Sequence, residues 1–82
     1  MNRTQTLDLR ISELFVSDLN LDVASPDTDL LEAGLMDSAL AVEVLLVLEE
    51  HFGLDIPIEE LNVEDLRSIR SIANLVAIRS GG

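Results

Sequence analysis

"MDSALAVEVLLVLEEHFGLDIP", residues 36–57, is the stretch on which the fold turns. Asp37 has the side chain of a helix N-cap, because a short carboxylate can accept first-turn N–H groups that lack an intrahelical partner. Gly53 supplies a left-handed stop, and Pro57, with no N–H to donate, prevents continuation. These limits predict a helix from Ser38 to Phe52. At about 100° per residue, Ala41, Val44, Leu45, Leu48 and Phe52 share one face. Ala39, Glu43, Leu46 and Glu50 form the opposite stripe, acidic but not wholly polar.

Working outward, Leu7, Ile11, Leu14 and Phe15 keep helical spacing, so a first helix is predicted over about residues 5 to 18, capped by Thr4 or Thr6. "LNLDVASPDTD" follows as a long loop, because Pro26 and the Asp and Ser residues favour turns. "DLLEAG" reads as a single helical turn stopped by Gly34, with Leu30, Leu31 and Leu35 folding back on the core. Beyond Pro57 a short helix is expected near residues 62 to 66, with Asn62 and Asp65 spaced as a capping box. A last helix over about residues 69 to 78, capped by Ser68, turns Ile69, Ile72, Ala73 and Leu75 or Val76 inward. No segment alternates as strands do and there is no internal repeat, so the expectation is a small all-α bundle. It has three main helices, one short helix and a long first loop.

Composition narrows the function. The 82 residues make one domain, near the lower size for a self-sufficient core. Without cysteine there are no disulfides and no thiolate metal sites. Some 48% of the residues are apolar, with two Phe and no Trp or Tyr, so the core is aliphatic. A net charge of −11, from 16 acids against 5 bases, argues against nucleic acid and suits a basic partner protein, although acidity also serves plain solubility. No apolar stretch approaches the roughly 20 residues of a membrane span. The opening "MNRTQTLDLR" lacks the apolar run of a signal peptide, so a cytoplasmic location is expected.

Catalysis has little to work with, since the chain has one His, no Cys and no Tyr. His51, one residue before the helix end, reads as a packed or cap-region residue. Asp18, Asn20, Asp22 and Asp29 fall on calcium-loop offsets, but Val23 stands where the sharp turn needs Gly. Asp29 is also shorter than the usual bidentate Glu, so the calcium reading fails. The C-terminal "RSGG" resembles a ubiquitin-like diglycine tail, yet those proteins are built on a sheet; Gly81-Gly82 is expected to be a flexible tail.

Ser38 remains. The first turn of a helix offers free N–H groups and partial positive charge, which favour a phosphate ester there. The plainer alternative makes Asp37 and Ser38 caps and nothing more. A resemblance over nearly the whole chain weighs against that alternative. The Asp37-Ser38 pair before the second major helix, the run "VEVLLVLEEHFGLDIP" and the late short helices together resemble the acyl carrier protein family.

The resemblance implies a four-helix carrier domain over residues 1–82, not an enzyme. It implies Ser38 as the attachment site of 4'-phosphopantetheine, donated by coenzyme A through a phosphopantetheinyl transferase. Asp37 would help position magnesium and the cofactor during that transfer. Ala39, Glu43, Leu46, Glu49 and Glu50 would meet partner enzymes, and an exposed Leu ringed by acids makes sense as a docking anchor with electrostatic steering. Two departures stand out: Ala39 replaces the usual Leu or Met after the serine, and Gly34 precedes Asp37-Ser38 by the longer Gly-x-x-Asp-Ser spacing. That spacing is more similar to stand-alone carriers of amino acids, such as D-alanyl carriers, than to fatty-acid carriers. The expected partners are therefore the transferase, an adenylate-forming acyl or amino acid ligase and a downstream transferase, all served by a monomer. A fatty-acid or polyketide carrier is the nearer alternative. An acidic helical adaptor without cofactor is the alternative from another class.

Overall fold

The computed structural model describes residues 3–79, and three α-helices carry most of them: α1 (Arg3–Ser17), α2 (Ser38–Phe52) and α3 (Ile69–Arg79). Two 3₁₀ turns, Ile58–Glu60 and Val63–Leu66, link α2 to α3. None of the described helices is long and apolar enough to cross a membrane. The Ser80–Gly82 end, where a flexible tail was expected, lies outside the described residues.

α2 begins and ends where its sequence places it. Asp37, in extended backbone, accepts the N–H of Leu40 at 2.8 Å, and Gly53, at φ 66°, donates its N–H to the Glu49 carbonyl at 3.0 Å. α3 likewise starts after Ser68, whose Oγ accepts the Ser71 N–H at 3.1 Å. α1 differs from expectation: it is already helical at Arg3, so Thr4 and Thr6 lie inside the helix rather than capping it. The expected short helix is a 3₁₀ turn, because four residues are too few to close successive α-helical bonds. In it the Asp65 carboxylate accepts the Asn62 N–H at 3.2 Å. The turn over Ile58–Glu60 was not foreseen; it closes when Glu60 N–H reaches the Pro57 carbonyl at 3.0 Å.

Burying apolar side chains supplies the driving force, roughly 1.5–3 kcal/mol for each large one fully removed from water. Ile11 and Phe15 from α1, Val44 and Leu48 from α2 and Ile69, Ile72 and Val76 from α3 meet in one core with Leu30 from the loop. The Leu30–Gly34 segment closes as the expected turn: Ala33 N–H bonds Asp29 O at 2.9 Å, and Gly34 adopts φ 73°, a conformation glycine reaches without strain. The long loop is bolted to the start of α3 by two main-chain bonds, Leu30 N–H to Arg67 O at 2.7 Å and Arg70 N–H to Pro26 O at 2.9 Å. That anchoring sets the turn before Asp37 and therefore the place of Ser38.

Candidate functional site at the head of α2

Ser38 is the first residue of α2 and is exposed. The cap divides the first-turn donors in a useful way. Leu40 N–H goes to the Asp37 carboxylate and Ala41 N–H to the Asp37 carbonyl at 2.9 Å. The N–H groups of Ser38 and Ala39 have no hydrogen-bond partner among the described residues. Two open donors and the positive end of the helix dipole suit a phosphodiester on the neighbouring hydroxyl. Asp37 fixes that end and keeps its second carboxylate oxygen clear of the cap.

Beside Ser38 runs an apolar groove of about 390 Å³. Two stretches of the chain line it, one bank each: Leu31, Met36, Ala41 and Val42 from before and within α2, and Leu61, Val63 and Leu66 from the link between α2 and α3. Its volume lies in the range of small-molecule sites, and its polar lining is confined to Asp37, Ser38 and Asn62. The described side chains thus fit a phosphate ester at Ser38 with an extended organic arm able to lie along apolar side chains. Sequence patterns did not reveal the second bank. Val63 is 65% exposed, in a segment too short to show periodicity.

Along α2 the outer stripe emerges as derived: Ala39, Glu43, Leu46 and Glu50 are all exposed, Leu46 by 58%. Val42, 44% exposed, joins this stripe to the groove. Glu49, which the resemblance alone groups with the partner-facing residues, lies off the stripe. It is half-buried and its carboxylate accepts the Ile56 N–H at 3.3 Å, so it shapes the segment after α2 instead of standing on the acidic face. His51 lies in the last turn of α2 but is not packed; it is exposed, with Nε2 2.8 Å from Asp18 Oδ2. That contact holds the Asp18 carboxyl below the usual carboxylate range.

The calcium-loop residues have other partners. Asp18 pairs with His51, and Asp29 accepts N–H groups of its own turn and the Arg67 guanidinium. Asp22 is exposed and Asn20 adopts φ 55°.

The cations are placed just as specifically. All five basic residues are arginine. Arg10 lies over the Phe52 ring at 4.7 Å, Arg67 bridges Asp29 and Glu64 at 2.7 Å each, and Arg79 meets Glu60 at 3.1 Å. Arg70 holds Asp27 with two nitrogens. Every arginine side chain described is therefore turned to a partner within the chain, and none sits on the α2 stripe.

A family model described as a phosphopantetheine attachment site matches residues 10–76. The D-alanyl carrier protein of Streptococcus suis (strain 98HAH33) is 35% identical over 72 residues, covering 88% of this chain and 87% of its own. The D-alanyl carrier protein of Streptococcus mutans is 37% identical over 62 residues, covering 76% and 75%. An all-helical fold with an exposed serine at a capped helix start agrees with both findings. The chain belongs to the phosphopantetheine carrier family, whose members hold 4'-phosphopantetheine covalently.

Proposed function

We propose that this chain is an aminoacyl carrier whose Ser38 hydroxyl anchors the phosphopantetheine arm, and that it catalyses nothing itself. The observation that carries the reading is an exposed Ser38 beside two open first-turn N–H groups and an apolar groove. When bound, the arm supplies a thiol for a thioester to the cargo. The protein supplies the anchor, the N–H groups that face the phosphodiester, and a docking face. Asp37 holds the helix start through one oxygen, and its carboxylate would help hold the magnesium ion used in attachment. Ala39, Val42, Glu43, Leu46 and Glu50 form the face that partners meet, while Glu49 holds the segment after α2 through the Ile56 N–H.

Aminoacyl cargo is favoured by the Gly-x-x-Asp-Ser spacing and by relatives named as D-alanyl carriers. An adenylate-forming ligase would load the thiol, and a downstream transferase would remove the cargo. The chain would work in the cytoplasm as a monomer, its confinement of the cargo raising effective concentration at each partner site. One observation favours a second reading: the banks of Leu and Val would also accept an alkyl chain, as in a fatty-acid or polyketide carrier.

Intact mass after incubation with coenzyme A and a broad-specificity phosphopantetheinyl transferase tests the anchor. A gain of one phosphopantetheinyl group, absent in Ser38→Ala, is expected; a chain that gains nothing is an adaptor rather than a carrier. Loading of the modified chain by a D-alanine ligase with ATP, against an acyl ligase with a fatty acid, separates the two cargoes.

A further inference from the structure

We infer that Asp29, acting through Arg67, is a positioning residue for partner docking at Ser38; the inference rests on Ser38 being the attachment point. Asp29 stands at the base of the turn that precedes α2. Its Oδ1 accepts the N–H groups of Leu31 and Glu32, each at 3.0 Å, while its Oδ2 accepts Arg67 Nε at 2.7 Å. Arg67 in turn receives the Leu30 N–H on its carbonyl at 2.7 Å, so side chain and main chain join the same two segments.

Those segments are the two banks of the groove. Leu31 follows directly on one side of the clasp, and Leu66 directly precedes Arg67 on the other. The clasp thus ties the two lining stretches together next to Leu31 on one and Leu66 on the other. Val63 rides on the 3₁₀ turn that Arg67 closes, and Glu64 holds the same guanidinium at 2.7 Å. An enzyme that reaches Ser38 over the groove meets Val42 on one bank and Val63 on the other. Setting that spacing before contact avoids ordering the two banks at the moment of binding. The Asp29 carboxyl is also held below its ordinary range, first by the Glu32 N–H and then by Arg67, so the clasp stays charged near neutral pH.

Asn at position 29 separates this role from that of the turn. Asp29→Asn keeps an oxygen for the Leu31 and Glu32 N–H groups but turns an NH₂ toward Arg67, donor against donor. Arg67→Met removes the other half, Arg67→Lys restores the charge, and Glu64→Gln disturbs Arg67 while sparing Asp29.

The experiment is phosphopantetheine transfer from coenzyme A to the full chain by a broad-specificity transferase, followed by intact mass at varied carrier concentration. D29N and R67M are expected to raise the KM for the carrier about three- to fivefold with kcat within about twofold, the range open to a partly exposed pair. The double variant should be no worse than either single one. R67K should recover part of the loss, and E64Q, which keeps the Asp29–Arg67 pair, should raise KM less than D29N does. Helical circular dichroism at the assay temperature confirms that each variant is folded. Unchanged KM in D29N and R67M, or a loss confined to kcat, overturns the inference while leaving Ser38 in place. A wild-type chain that gains no mass removes the Ser38 assignment and the inference with it.

Discussion

Arg70 Nη1 stands 3.3 Å from Asp8 Oδ2, and the other oxygen of that carboxylate, on a side chain only 6% exposed, has no hydrogen-bond partner among the described residues. Arg70 therefore balances a buried acid of α1 while also holding Asp27 of the loop. Removing one partner of such a pair leaves an uncompensated charge, whereas replacing the acid by an apolar group removes both charge and orphaned oxygen. Asp8→Leu is expected to be within about 1.5 kcal/mol of wild type or more stable. Arg70→Met should melt well below it, and the double variant should recover much of that loss. Thermal melts of the three variants at pH 7 check the order.

Acid should loosen the loop first. Asp27 is held below the ordinary carboxylate range by its hydrogen bond to Arg70, and Asp29 by the Glu32 N–H and Arg67. A carboxyl whose folded value lies below its unfolded one adds stability above about pH 4 and loses it as pH falls through the folded value. Both arginines stay charged throughout, so nothing offsets that loss. In urea melts from pH 6 to pH 2, D27N/D29N should start less stable, lose less on acidification and approach wild type near the acid end.

The outer stripe of α2 should matter to partners and hardly to the fold. Glu43→Lys with Glu50→Lys is expected to slow loading by the cognate enzymes about tenfold at low ionic strength, with the gap narrowing as salt screens it. Leu46→Ala should raise KM for the same enzymes severalfold. Melting temperatures should stay within a few degrees of wild type, since exposed charges contribute little to stability. Unchanged loading at low salt would contradict the docking assignment.

Asp37 combines a cap with a place beside the attachment residue. Asp37→Ala is expected to cost about 1 kcal/mol of stability, which in so small a domain lowers the melting temperature by roughly 4–8 °C. Asp37→Asn, which can still accept the Leu40 N–H, should keep most of that stability yet slow magnesium-dependent modification of Ser38. A variant that is both stable and fully modified would reduce Asp37 to a cap.

The sequence revealed α2 in full because its two ends are local chemistry, Asp37 at one and Gly53 at the other. It revealed the loop turn for the same reason, with Gly34 as punctuation. It placed Glu49 among the partner-facing residues on resemblance alone, and residue spacing does not show the contact its carboxylate makes with the Ile56 N–H. The groove and the Asp29–Arg67 clasp lay further out of reach. The clasp joins side chains 38 residues apart and the groove draws on side chains from Leu31 to Leu66, juxtapositions that appear only once the loop has folded against the segment before α3.

The engagement of the arginines has a chemical consequence for cargo. An aminoacyl thioester is readily attacked by amines and thiols, and a protein that carries one is exposed first to its own side chains. Here the side-chain cations are guanidinium groups, which remain protonated and are poor nucleophiles, and those described are bound to acids or to the Phe52 ring. The chain has neither lysine nor cysteine, and the His51 imidazole is directed to Asp18. Its side chains thus offer the activated group few internal routes of escape, leaving its chemical lifetime to be set mainly by water and by the enzymes that come to collect it.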